Sequence, residues 1–275
     1  MTIGIEPVTG VIGATISGVD LREPLAPADR DAIEKALYEY GVLFFHDQDI
    51  TPEQQVAFPK QFGEISLAPM APDSDMPPEL MVLDQVEPKG EGADNWHSDN
   101  TFMPEPPTGS ILRAVKMPKV GGDTCYANAV AAYEALSPPM REFLEGLRAL
   151  HDITKPMRRA VDHGIFEPGK LDEMAREWPP VEHPVIRTHP VTGAKALFVN
   201  GNSTVRILGL TDRESDLLLP FLNDHIRSPD FQCRLHWDEN TIAFWDNRIV
   251  QHYAVPDYTE QRIMHRVTLT GEKPF

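Results

Sequence analysis

Two clusters about 150 residues apart restrict how this chain can fold: Trp96-His97-Ser98-Asp99, and Trp245-Asp246-Asn247-Arg248 with His252 just beyond it. In an extended segment, side chains at i and i+2 point to the same face. His97 and Asp99 can therefore reach one ion from a single strand or strand end, while Ser98 points away. A third ligand has to come from another strand, and His252 lies in the strand-rich last quarter of the chain. Two neutral imidazoles and one carboxylate are the ligand set of a mononuclear iron(II) site with three coordination positions left free. A double-sheet jelly roll closes such a separation by strand pairing.

The remaining pattern fits that class, mainly β with flanking helices. Residues 3–19 alternate weakly between apolar residues and Gly or Thr, as short strands and turns do. Pro27 opens a helix carrying Ile33, Ala36, Leu37 and Tyr40, and Gly41 stops it. Val42–Phe45 is a buried strand. Thr51-Pro52-Glu53-Gln54 is a capping box for a second helix, which Pro59 should kink or end before Phe62-Gly63. Residues 68–95, polar and proline-containing around a short apolar strand at 80–83, form a candidate lid. A strand is expected at 111–115, a turn at Gly121-Gly122-Asp123-Thr124, and a helix from Ser137-Pro138 through Leu147. Residues 152–182 read as an irregular or partly helical insertion. A hairpin spans 185–199, and Thr211-Asp212-Arg213-Glu214 caps a helix carrying Leu217–Leu219 and Phe221. Strands follow at 231–237, 241–245 and 263–269. With no repeat and no clear boundary, the chain reads as a single domain, 1–275.

Composition narrows the partners. A net charge of −17 repels polyanions, so neither nucleic acid nor an anionic membrane is expected. A small anionic substrate stays open, provided local cations meet it. No secretory signal and no run of about 18 apolar residues is present, so cytoplasm is the expected location. Cys125 and Cys233 make neither a disulfide framework nor a zinc cluster.

Ten histidines make a chance His-x-Asp pair common, so the pair at 97 and 99 gains its weight from its neighbours. His46, His163, His183, His189 and His225 lack ligand spacing and read as surface or hydrogen-bonded groups, and His151 as structural. Beyond His252, Arg262 and Arg266 share one strand face with His265 on the other. Alone they would be solvated arginines on an amphipathic strand. Beside a metal motif they form an anion-binding pair, since each guanidinium can grip a carboxylate or sulfonate bidentately.

Trp96 to Phe102, Gly121 to Thr124, Trp245 to Arg248 with His252-Tyr253-Ala254, and Arg262 to Arg266 together resemble the taurine/2,4-dichlorophenoxyacetate family of iron(II)/2-oxoglutarate-dependent dioxygenases. The resemblance runs from Gly10 to the last residues. It implies a double-stranded β-helix with Fe(II) held by His97, Asp99 and His252, and with 2-oxoglutarate and O2 as cosubstrates. By the same resemblance Arg262 binds the distal carboxylate of 2-oxoglutarate, assisted by the Thr124 hydroxyl, and Arg266 grips the substrate's acidic group. Trp245 and Asn247 are read as packing or ligand-supporting residues.

The match is poorer where substrates are chosen. Ala68, Ala71, Ala93 and Asn202 stand where the taurine enzyme carries His, Tyr, Asn and an aromatic residue. Taurine is therefore not the expected substrate, and Met70, Asn100, Met157 and Asn202 are candidate walls of a roomier pocket. The expected activity is hydroxylation of a small anionic carboxylate, sulfonate or sulfate ester, with C–O or C–S cleavage where the hydroxylated carbon bears oxygen or sulfur. The expected assembly is a homo-oligomer, dimer or tetramer. Asp99 disfavours halogenation, which needs that ligand position vacated. Alternatives are a biosynthetic hydroxylase or desaturase of a carboxylate metabolite, a non-catalytic cupin-like metal-binding protein, or a zinc hydrolase. Arg262 and Thr124 argue against a metal buffer, which has no use for a dicarboxylate site.

Overall fold

A computed structural model of the chain describes residues 3–67, 76–88 and 94–275. The N-terminal hairpin joins β1 (Gly4–Pro7) to β2 (Ala14–Ser17). Helix α1 (Pro27–Tyr40) buries Ile33, Ala36 and Leu37. It stops at Gly41, whose φ of 74° lies in a region a side chain resists and whose N–H returns to the Leu37 carbonyl. Then comes β3 (Val42–Phe45), buried along its length. Helix α2 (Pro52–Ala57) opens in a complete Thr51–Gln54 capping box. It ends before Pro59, which has no N–H to continue the ladder and instead starts a 3-10 turn.

The strands β4 (Ile65–Ser66), β5 (Met81–Gln85), β6 (Gly109–Lys116) and β7 (Thr124–Asn128) follow. Helices α3 (Ala129–Ala135) and α4 (Pro138–Leu144) come next, capped by Asn128 and Ser137. The second ends three residues earlier than its sequence suggests, because Glu145 turns extended and Gly146 takes φ 87°. After β8 (Arg148–His151), the segment expected to be irregular or partly helical forms two helices, α5 (Thr154–Asp162) and α6 (Pro168–Glu177). They share a small core of Phe102, Ile153, Met157 and Met174. The chain continues through β9 (Val181–Pro184), the hairpin β10 (Ile186–Thr188)/β11 (Lys195–Leu197), β12 (Thr204–Ile207) and α7 (Asp212–Ile226). It closes with β13 (Gln232–Leu235), β14 (Ile242–Asp246), β15 (Val250–Ala254) and β16 (Arg262–Leu269).

The main sheet runs β1-β2-β3-β14-β6-β16-β4, with β5 added on β16. Alternation along its central strands sends side chains to two cores. Val42, Phe44, Leu112, Ala114, Ala243 and Trp245 pack inward with residues of the β13-β7-β15 sheet. Leu43, Phe45, Ile111, Ile242 and Phe244 pack outward with α1. Both faces are covered, which is why Val42-Leu43-Phe44-Phe45 is apolar throughout. Two sheets facing each other across the inner core make the jelly roll. An isolated antiparallel bridge between His97 and His252 extends the smaller sheet at β15. Among the described residues no helix is long and apolar enough to cross a membrane.

Candidate active site

The distant clusters meet at that bridge. His97 and His252 exchange both backbone hydrogen bonds, at 3.0 and 2.8 Å, and their ring centroids lie 4.1 Å apart. Asp99 follows two residues on, while Ser98 turns away to donate to the Val250 carbonyl at 2.9 Å. Asp99 Oδ1 lies 3.8 Å from His97 Nε2 and 3.9 Å from His252 Nε2, and the three ligand atoms all fall within 4.8 Å of one another. Two donors each about 2.0–2.2 Å from one ion can be at most about 4.4 Å apart. The carboxylate therefore stands at ligand spacing from both imidazoles.

The neighbours hold these donors in place. His97 Nδ1 is 2.7 Å from the Asn95 carbonyl, so its proton belongs there and Nε2 keeps its lone pair. Ser110 donates to Asp99 Oδ2 at 2.7 Å, leaving Oδ1 toward the histidines. Asn247 clamps the Asp99 backbone: its Oδ1 accepts from the Asp99 N–H at 2.7 Å, and its Nδ2 donates to the Asp99 and Pro107 carbonyls, each at 3.0 Å. The Trp245 ring packs 4.7 Å from that of His252. Burial holds His252 down to about 3, with His97 adding to the effect, and lowers His97 as well. Burial alone would raise Asp99, but the Arg266 guanidinium and the Ser110 hydrogen bond act against it, and the carboxyl is held at about 2. Two neutral imidazoles and an ionised carboxylate are the protonation states a metal needs.

All three line a cavity of about 240 Å³. Arg262 and Arg266 line it too, as their shared strand face predicts. Arg262 is 4% exposed, and its Nε and Nη2 have no hydrogen-bond partner among the described residues. A buried guanidinium left open in this way is matched by a carboxylate. Gly122 packs against it: at φ 78°, an added Cβ would come within 3.3 Å of Arg262 Cδ. Thr124 lines the same cavity, and its Oγ1 accepts from Trp237 Nε1 at 2.9 Å. That acceptance leaves the hydroxyl hydrogen free to donate into the cavity. Arg266 Nη1 donates to Asp99 Oδ1 at 3.1 Å and Nη2 contacts Met81 Sδ at 3.3 Å.

Of the candidate wall residues, Asn100, Met157 and Asn202 line the cavity. Met70, like Ala68, Ala71 and Ala93, lies outside the described residues, and of the candidate lid only 76–88 and 94–95 are described. Sequence reasoning missed Phe102, Ile153, Ala160 and Phe166, which also line it. The available signal was Ile153, Met157 and Ala160 at helical spacing, obscured by Pro156 and the polar residues between. It also missed Ser110 and Trp237, which no spacing rule ties to Asp99 or Thr124. The remaining histidines are structural where buried: His151 contacts Thr101 Oγ1 at 3.0 Å, and His189 contacts Asp246 Oδ2 at 3.0 Å.

The family model described as "Taurine catabolism dioxygenase TauD, TfdA family" matches residues 4–268. The chain belongs to this family. This dioxygenase is 39% identical to an alpha-ketoglutarate-dependent sulfate ester dioxygenase of Pseudomonas putida, over all of its own length and 91% of the relative's. A solved taurine dioxygenase from Burkholderia xenovorans superposes with a TM-score of 0.85 at 38% identity, covering 99% of this chain and 90% of that one. The structure described as AAD-2 in complex with Mn(II) and N-oxalylglycine also superposes at 0.85, with 32% identity and coverage of 100% and 99%. The dioxygenase is thus an enzyme of the 2-oxoglutarate-dependent class with a jelly-roll fold, and its chemistry calls for 2-oxoglutarate and a metal.

Proposed function

We propose that this enzyme uses Fe(II), O2 and 2-oxoglutarate to hydroxylate a small monoanionic substrate, with a sulfate ester, sulfonate or carboxylate as its acidic group. One arrangement carries the reading: His97, Asp99 and His252 converge on a cavity that also holds Arg262 with two unpaired donors. The residues fit these groups. His97, Asp99 and His252 would hold the metal, and Arg262 with Thr124 would hold the distal carboxylate of 2-oxoglutarate. When bound, iron with 2-oxoglutarate and dioxygen supplies the oxidation, releasing succinate and carbon dioxide and placing one oxygen atom in a substrate C–H bond.

The protein's own work is positioning and charge balance. Asp99, Arg262 and Arg266 are the only ionised groups among the described residues lining the cavity. Two guanidinium charges against one carboxylate leave one positive charge, which a divalent ion raises to three. Dianionic 2-oxoglutarate takes two, and the third is matched by a monoanion. Arg266 would hold that head, so the carbon beside it faces the metal. Where that carbon carries a sulfate-ester oxygen, hydroxylation gives a hemiacetal sulfate that collapses to aldehyde and bisulfate. The sulfate ester dioxygenase relative favours this class, and Ala68, Ala71, Ala93 and Asn202 argue against taurine. A homo-oligomer, dimer or tetramer, acting in the cytoplasm completes the proposal.

The test is a panel of alkyl sulfates, sulfonates, aryloxy and aliphatic carboxylates, and alkyl phosphates, scored by substrate-dependent succinate release. Monoanions should stimulate release and alkyl phosphate dianions should not. If no monoanion stimulates it, the reading fails.

A further inference from the structure

The cavity has two kinds of lining. The sheets and the His97–Asp99 segment bring its charged and ligating side chains, whereas the α5–α6 insertion brings apolar ones. Ile153, Met157 and Ala160 lie four and three residues apart and so share one face of α5, and Phe166 joins them from the turn before α6. The first three are almost wholly buried, while Phe166 is 37% exposed and stands at the rim. Ala160 is the smallest side chain of that face.

This wall is fixed in place. Asp152 Oδ1 accepts from the Thr154 N–H at 2.8 Å at the start of α5. Lys155 Nζ donates to the Thr204 carbonyl at 2.8 Å, and Arg159 pairs with Asp94 at 2.6 Å, three residues before His97. Met174 of α6 packs in the same core as Ile153 and Met157. A wall tied at both ends to the segments that build the site cannot slide to accommodate a longer ligand without breaking those contacts.

We propose that α5 gauges the length of the substrate's apolar tail, with Ala160 and Phe166 setting the limit. The proposal rests on the reading that Arg266 takes the anionic head. A head fixed on the sheet and a tail running along α5 make chain length the measured quantity. Each methylene that gains apolar lining raises affinity about fourfold, and one that overruns the wall gains nothing. Ala160→Leu fills the gap with three further carbon atoms, and Phe166→Ala opens the rim.

Anaerobic calorimetry on the protein loaded with Fe(II) and 2-oxoglutarate, titrated with straight-chain alkyl sulfates from ethyl to decyl, tests this without turnover. In the wild type, affinity should climb about fourfold per methylene to a limit and then level off. Ala160→Leu should move the limit shorter by about two carbons, weakening the former best tail about tenfold or more. Phe166→Ala, at a half-exposed position that tolerates truncation, should move it longer. Unchanged 2-oxoglutarate affinity certifies that each variant is folded, and if Ala160→Leu fails that check Phe166→Ala decides. Identical limits in wild type and variants, or affinity independent of length, would overturn the gauge and leave the head-group reading standing. If no alkyl sulfate binds while 2-oxoglutarate does, the same titration with alkanesulfonates and alkyl carboxylates decides, and if none of these binds the head-group reading itself falls, and the gauge with it.

Discussion

Asn247→Ala should separate the framework from the ligands it holds. Asn247 is fully buried, touches none of the three ligand atoms, and makes three hydrogen bonds of 2.7–3.0 Å, two of them to the Asp99 backbone. Truncation strands one N–H and removes a partner from two carbonyls. At about 1 kcal/mol for each lost bond, and more for a buried group left unpaired, the cost is about 3–5 kcal/mol. For a chain of this size that lowers Tm by roughly 5–9 °C. Asp99 Oδ1 stands 3.8–3.9 Å from both histidines only while its backbone is pinned, so metal affinity should fall about 10–100-fold as well. Thermal melts of the metal-free protein and anaerobic Fe(II) titrations read the two effects independently. A variant that loses stability but binds Fe(II) like the wild type would refute the claim that this clamp positions the metal ligand.

Arg262→Ala should raise the 2-oxoglutarate concentration needed for half-maximal rate about 100-fold or more, since two charge-assisted bonds are lost. Arg266→Ala should instead weaken use of the primary substrate and uncouple succinate formation from it, and swapped phenotypes would reverse the assigned roles. Trp237→Phe, which frees the Thr124 hydroxyl to turn away, should weaken 2-oxoglutarate binding several-fold (about 1 kcal/mol) without changing metal affinity. His183 is held by burial at about 4, below the ordinary 6.5. Because its folded value is depressed, its contribution is complete above pH 6.5 and is lost as pH falls from 6.5 toward 4, about 3 kcal/mol in all. His183→Gln should therefore flatten the fall in urea midpoint across that range, and a wild-type slope would contradict this.

Local rules carried the sequence reading furthest where one residue decides the geometry. Gly41 and Pro59 end helices, Thr51 and Thr211 open them through complete capping boxes, and the i, i+2 spacing puts His97 beside Asp99. Arg262 and Arg266 reach one cavity because strand alternation needs no tertiary information. Reading failed where burial comes from a distant partner. Strand β15, Val250-Gln251-His252-Tyr253-Ala254, has no apolar alternation because distant neighbours bury its polar side chains: Gln251 Nε2 donates to the Val199 carbonyl at 2.6 Å and the Trp245 ring packs on His252. The α5–α6 pair was legible only as a partly helical stretch, since Pro156 and a run of charges leave α5 one narrow apolar face, the one that meets the cavity. Ser110 and Trp237 act through side chains that the fold alone brings together.

One ferrous ion is proposed to sit among residues 97, 99 and 252 with 2-oxoglutarate beside it. Anaerobic Fe(II) titration in the presence of 2-oxoglutarate, followed by visible absorption, tests it most directly. A weak charge-transfer band should appear, saturate at one iron per chain and be absent in His97→Ala and Asp99→Ala. No band in the wild type, or an undiminished band in either variant, would contradict it.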